Sequence, residues 1–478
     1  MKKSTWGLAL AAMAWAGEAS PHAFGRQYTL PVPFWLYAWG ASAALIVSFA
    51  VVGWFVTTKA ASLNYRTLAI GPPLSRYLRA IAALRGASVF GLVATVVSGL
   101  FGTANPYANF SMTFFWIVFV LGFAYLSAIA GNLYAFLNPW RVIADWIGGF
   151  APRSIGGRIA YPAGLADGPA LVFYVAFIWI ELFAHTTPRS LAGILIAYSA
   201  LNGIGVWLVG REAWFRHCDF FSVFFRVLGK MAPVEVAEGR VTLRHPFVGL
   251  LREPAGSLST VLFVLFMIAS TAFDGFRDTV PWVALYWKHA SPLLSPLLAA
   301  DSVHAYPALQ QLYQVYETAG LLLSPLFYLA LYLAFLALAK RLACSELPLR
   351  ELVLRFAFSL VPIALTYNLA HYFTLLPTQG LQIVRLVSDP LGRGWNLLGT
   401  ARWFAAPSII DAGVVWHWQV ALILFGHIVS VYLAHLEALK TFRDRRQATL
   451  SQLPMLFLMV AYTTIGLWIL SLPIQGAR

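Results

Sequence analysis

Apolar stretches of about 20 residues, the length that crosses a hydrocarbon core of about 30 Å, recur ten times along the chain. They fall near 34–56, 87–104, 112–135, 167–186, 191–210, 258–273, 316–338, 356–377, 415–437 and 453–472. Short polar loops separate them, and no stretch is polar enough to be a soluble domain. The pattern predicts an all-α fold: a polytopic membrane helix bundle of about ten transmembrane helices, forming one domain over 20–478. The start reads differently. Lys2 and Lys3 precede an apolar run from Trp6 to Ala16, too short to span, and then small residues that suit cleavage at Ala14-Trp15-Ala16 or Gly17-Glu18-Ala19. Residues 1–19 are therefore predicted to be a signal peptide, whose removal leaves His22 close to a free amino terminus outside the cytoplasm.

The charges orient the bundle. With the mature N-terminus outside, the loops that fall on the cytoplasmic side hold 23 of the 33 Lys and Arg residues, and the outside segments hold eight. An excess of that size, repeated over five loops, predicts an inner-membrane protein with both mature termini periplasmic. The longest cytoplasmic segment is 211–257. Its first part, with Trp214-Phe215, Phe220-Phe221 and Phe224-Phe225 among Arg216, Arg226 and Lys230, predicts an amphipathic helix at the headgroups. Its second part, 234–243, alternates about a Glu-Gly turn and predicts a small hairpin.

Composition narrows the function classes. Hydrophobic residues make up 60% of the chain and charged residues only 11%, with a mean hydropathy of +0.71. The net charge of +14 does not signal nucleic-acid binding, because the basic residues sit in short loops rather than on one face. Cys218 and Cys344 both fall on the cytoplasmic side, where a structural disulfide is not expected.

Ionisable side chains inside apolar windows are costly and point to function. Glu181 and His185 are expected on one face of the fourth helix at i, i+4. Asp274 closes the sixth helix and Glu317 opens the seventh. The eighth carries Asn368, His371 and Tyr372, and the ninth His417, His427 and His435. His371 and His427 are expected to approach each other, with Asp274 or Glu317 nearby. Those four could hold a divalent metal such as Zn, Fe or Mn, or could carry protons; spacing alone does not separate the two. The loop Ser388–Asn396 is turn-rich, and its Arg393 either approaches an anionic phosphoryl oxygen or belongs to a cap over the helix ends.

Several segments together resemble one family. They are His22-Ala23-Phe24-Gly25-Arg26 with Leu30-Pro31-Val32-Pro33, Asn138-Pro139-Trp140-Arg141, Thr271-Ala272-Phe273-Asp274-Gly275, His371-Tyr372-Phe373, the Ser388–Asn396 loop, Gly426-His427 with Ala434-His435, and Pro454-Met455-Leu456. Across nearly its whole length the chain is similar to the bacterial fenitrothion hydrolases, the larger membrane subunit of an organophosphate hydrolase. The resemblance implies hydrolysis of apolar phosphotriesters with release of a nitrophenol, and a smaller second subunit as partner. In that reading a metal-bound water attacks phosphorus, with Asp274, Glu317 and Arg393 in the catalytic machinery. The alternative from the residues is a proton-coupled or metal-handling transporter.

Overall fold

The computed structural model describes residues 32–56, 67–152, 155–237, 239–298, 302–403 and 411–472. The expected signal peptide, His22 and the C-terminal Arg478 lie outside the described residues. The chain is an all-α polytopic bundle. Among the described residues nine helices are long and apolar enough to cross a membrane. In chain order they are α1 (Phe34–Phe55), α2 (Leu78–Phe101) and α3 (Phe110–Ala130, π-helical over its middle). After the short α4 (Pro139–Phe150) and α5 (Gly168–Phe183) come α6 (Pro188–Val209), two short helices α7 (Arg211–His217) and α8 (Phe220–Gly229), and α9 (Leu258–Arg277). The last four are α10 (Ser302–Leu342), α11 (Leu349–His371), α12 (Ala412–Thr441) and α13 (Arg445–Ser471). The fourth expected span is α5, which at 16 residues is shorter than the rest.

Local chemistry sets the helix starts. Asn138, Thr187, Ser257, Asp411 and Asp444 each accept a backbone N–H of the following first turn, which satisfies donors that the helix itself leaves unpaired. Burial sorts centre from periphery. In the most apolar stretches of α9 and α11 72% of the residues are buried inside the protein, whereas in that of the span Leu74–Phe101, which contains α2, only 6% are. The apolar outer faces, with Phe90, Trp54 and Phe55 more than 70% exposed, are those a lipid solvent covers.

Among the described residues the basic loops gather at one end. Arg85 and Arg211 both pair with Asp145, Ala255 N–H donates to Leu354 O at 2.9 Å, Lys440 Nζ to Leu251 O at 2.6 Å and Arg445 to Gly53 O at 2.6 Å. This is called the basic end below. At the opposite end Thr103 N–H donates to Leu391 O at 3.0 Å and Arg277 to Leu182 O at 3.1 Å.

Four sequence expectations change. The hairpin forms as β2 (Val234–Ala237) and β3 (Arg240–Leu243), with Gly239 at φ +70° in its turn. A third strand, Leu68–Ile70, pairs with β3 antiparallel, Ala69 opposite Thr242. The segment 211–229 does not lie flat on the surface. It folds as a helical hairpin whose Phe220, Phe221 and Phe225 are at most 3% exposed, because Phe115, Phe119, Phe123, Tyr134 and Phe177 offer ring partners. The seventh helix begins at Ser302 rather than 316; its extension is held by Tyr286 and Trp287 against Tyr313 and by the Tyr286 hydroxyl on Leu309 O. The eighth ends at His371 rather than 377.

Candidate functional site

Asp274 lies in the penultimate turn of α9 and is 3% exposed. His371, the last residue of α11, places Nε2 2.9 Å from Asp274 Oδ2. The next residue, Tyr372, directs its hydroxyl to the same oxygen at 3.0 Å and to Glu181 Oε1 of α5 at 3.3 Å. Arg277, one turn beyond Asp274, brings Nε to 3.5 Å from Oδ1 and stacks its guanidinium over Phe183 at 5.2 Å. Three central helices thus deliver two acids, an imidazole, a phenol and a guanidinium to one buried spot.

The hydrogens there do not balance if both acids are ionised. A phenol has one hydrogen to donate, yet Tyr372 sits within bonding distance of two carboxyls. Both contacts are hydrogen bonds only when one carboxyl carries a proton and donates it to the phenolic oxygen. Asp274 also meets His371 and Arg277, so the two carboxyls differ in their partners.

A cavity of about 40 Å³ opens against this cluster, room for a few waters. Its polar lining comes from Tyr174, Glu181, Ser270, Thr271, Asp274, Asn368 and Tyr372. Asn368 Oδ1 accepts from the Tyr125 hydroxyl at 3.1 Å. On the side toward the basic end the rings of Phe220, Phe221 and Phe224 close it.

The residues singled out from sequence divide between those the fold gathers and those it does not. Asp274 and His371 meet. Glu317 lies where its charge acts on Arg277, one residue before Thr318, which accepts from Trp179 Nε1 at 3.0 Å. His427 does not join His371. Gln419 Nε2 donates to Ala370 O at 2.9 Å, so His371 is level with the part of α12 about eight residues, or about 12 Å, before His427. His427 instead puts Nδ1 on Ile423 O at 2.8 Å, while its buried Nε2 meets no partner among the described residues. His435 uses both nitrogens structurally, on Val56 O and Gln452, each at 3.0 Å. Glu181 and His185 do not share a helix face, because α5 stops at Phe183 and His185 has φ +41°.

Arg393 serves the helix ends. Asp389 accepts the N–H of Arg393 at 2.9 Å and of Gly394 at 2.8 Å, and the Arg393 guanidinium donates to Phe101 O at 3.3 Å, the last carbonyl of α2. A cation there complements the helix C-terminus. Arg393 does not line the cavity. Among the described residues no three His, Cys, Asp or Glu side chains converge as a metal would need. Asp274 and His371 supply two donors, which does not fit a metal centre, and no step below is routed through one. No protein-family model, curated protein or solved structure matches the chain.

Proposed function

We propose that the protein is a proton-translocating membrane transporter and that Glu181, Tyr372, Asp274 and His371 are its proton-binding centre. One observation carries the reading: a single phenol hydroxyl bridges two carboxyls on different central helices, 3.0 and 3.3 Å away. Such a bridge holds one exchangeable proton, and its two acids belong to helices whose relative movement makes or breaks it. Arg277 and the hydrogen bond with His371 serve the Asp274 carboxyl, so the proton is assigned to Glu181. The small cavity admits water to Glu181, which suits proton exchange better than binding of a phosphotriester, whose pockets run to several hundred Å³ (about 300 or more).

A second reading, phosphotriester hydrolysis in a fenitrothion hydrolase, rests on a specific juxtaposition. Two of the segments behind that resemblance, 271–275 and 371–373, are the ones that meet at the centre. Proteoliposomes of the full-length chain with a trapped pH dye decide between them. Under an applied membrane potential the lumen should acidify, and Glu181→Gln and Tyr372→Phe should abolish the change. Release of nitrophenol from fenitrothion without proton movement would replace the transporter by the hydrolase, and its loss on adding a chelator would restore a metal.

A further inference from the structure

α5 repeats a protonatable residue every seven positions: Asp167 at its N-cap, Tyr174 in its middle and Glu181 near its end. Seven residues are nearly two turns, so the three share one face and span about 21 Å. α9 runs beside it in the same direction and answers each level. Thr260 donates to Asp167 Oδ2 at 2.7 Å, Ser270 lines the same cavity as Tyr174, and Asp274 shares Tyr372 with Glu181. Asp167 is 6% exposed and has an imidazole of its own, His217 Nδ1 of α7, at 2.9 Å from Oδ1. Arg226 of α8 stands 3.5 Å from the same oxygen. Tyr161 stacks on His217 with ring centres 5.2 Å apart, and its hydroxyl donates to Ala166 O at 2.6 Å. The His217 side chain is 28% exposed at the basic end.

We propose that Asp167 and His217 are a second proton site, the port at the basic end, and that the α5–α9 seam with Tyr174 at its midpoint is the path joining it to the Glu181–Asp274 centre. This rests on the proton-binding reading above. Each transfer breaks one O–H or N–H bond and forms another. His217 passes a proton to Asp167, water carries it on, Tyr174 accepts at its oxygen while releasing its own hydrogen toward the cavity, and Glu181, whose own proton has first left toward the opposite end, receives it. Tyr174 and Glu181 line the same cavity, so water alone closes that gap. Between Asp167 and Tyr174 the wall is aromatic. Tyr174 packs on Phe220, Phe224 and Phe263 at 4.9–5.9 Å. This dry segment opposes leakage and conducts only when it wets.

The full-length chain in lipid vesicles tests this with two readouts. Infrared difference spectra on a pH step report the carboxylic acid at the centre, assigned by its loss in Glu181→Gln. A trapped pH dye reports transfer across the bilayer. Tyr174→Phe, which keeps the ring packing, and Asp167→Asn should leave the Glu181 signal in place and slow transfer at least tenfold. The persisting signal also shows that the variants fold. Unchanged transfer in both, or a wild type that shows the Glu181 signal without any transfer, overturns the path and leaves the centre standing. Absence of the Glu181 signal in the wild type overturns the centre itself.

Discussion

At the scale of single residues, the shared proton makes sharp demands. Tyr372→Phe keeps the edge-on contact with His371, whose ring centre is 4.7 Å away, but removes the hydroxyl that touches both acids. Leaving buried polar atoms without that partner costs about 1–3 kcal/mol. The variant is expected to unfold at lower temperature in detergent and to lose proton movement; an unchanged dye response would remove Tyr372 from the centre. His435→Ala is expected to cost a similar amount of stability, because Gln452 and the Val56 carbonyl lose their partner, yet to leave proton movement per folded molecule intact. The individual charges were legible in the sequence, since Glu181, Asp274 and His371 stand out in apolar windows. Their pairing was not. Asp274 and His371 are 97 positions apart, and the periodicity of one helix carries nothing about its neighbour. Glu181 was matched to His185 for the same reason, although its partner Tyr372 comes from α11.

At the scale of elements, close helix approach and a clamped short helix dominate. A Cβ on Gly426 would fall 1.9 Å from Thr366 Oγ1 and 3.0 Å from Pro362 O, so α12 rides directly on α11. Gly426→Ala is expected to cost about 1–3 kcal/mol by overpacking. Adding Thr366→Ala should restore part of the loss, a coupling that thermal unfolding of the two single variants and the double variant would measure. The hairpin α7–α8 was read from sequence as a surface helix because its Phe and Arg residues alternate as an interfacial helix would. The structure buries it because those rings find other rings, and its end is tied down from afar. Arg244, just after β3, donates to Ala232 O at 2.9 Å, Gly229 O at 3.1 Å and Lys230 O at 3.2 Å, and its guanidinium also pairs with Glu235. Those carbonyls end α8, whose other end forms one wall of the cavity. Arg244→Lys cannot reproduce a fork of that geometry. It is expected to loosen α8, read as faster amide exchange in Phe220–Gly229; protection equal to the wild type would show that aromatic packing alone holds the helix.

At the scale of the whole molecule, charge and architecture agree on an axis and sequence alone supplies its direction. Nine of the ten expected spans were legible as membrane-length helices, because a lipid solvent demands long apolar runs and closes every backbone hydrogen bond within them. The gathering of the basic loops at one end follows from antiparallel succession, and the strand Leu68–Ile70 went unseen because three exposed residues leave no alternating pattern. The centre belongs to the opposite end, since Glu181, Asp274 and His371 all lie in the closing turns of their helices. If the basic end faces the cytoplasm, as the positive-inside rule requires, the Asp167–His217 port opens to the cytoplasm and Glu181 lies toward the outer leaflet. The orientation can be read with single cysteines in a chain whose Cys218 and Cys344 are replaced by Ser. Leu398→Cys, on a loop at the end opposite the basic one and 65% exposed in the wild-type side chain, is expected to react with an impermeant maleimide in spheroplasts. Arg240→Cys, on β3, is expected to react only after the membrane is opened. The reverse pattern would invert the axis: the proton held by Glu181 would then exchange with the cytoplasm, and any inward proton gradient would first reach Asp167.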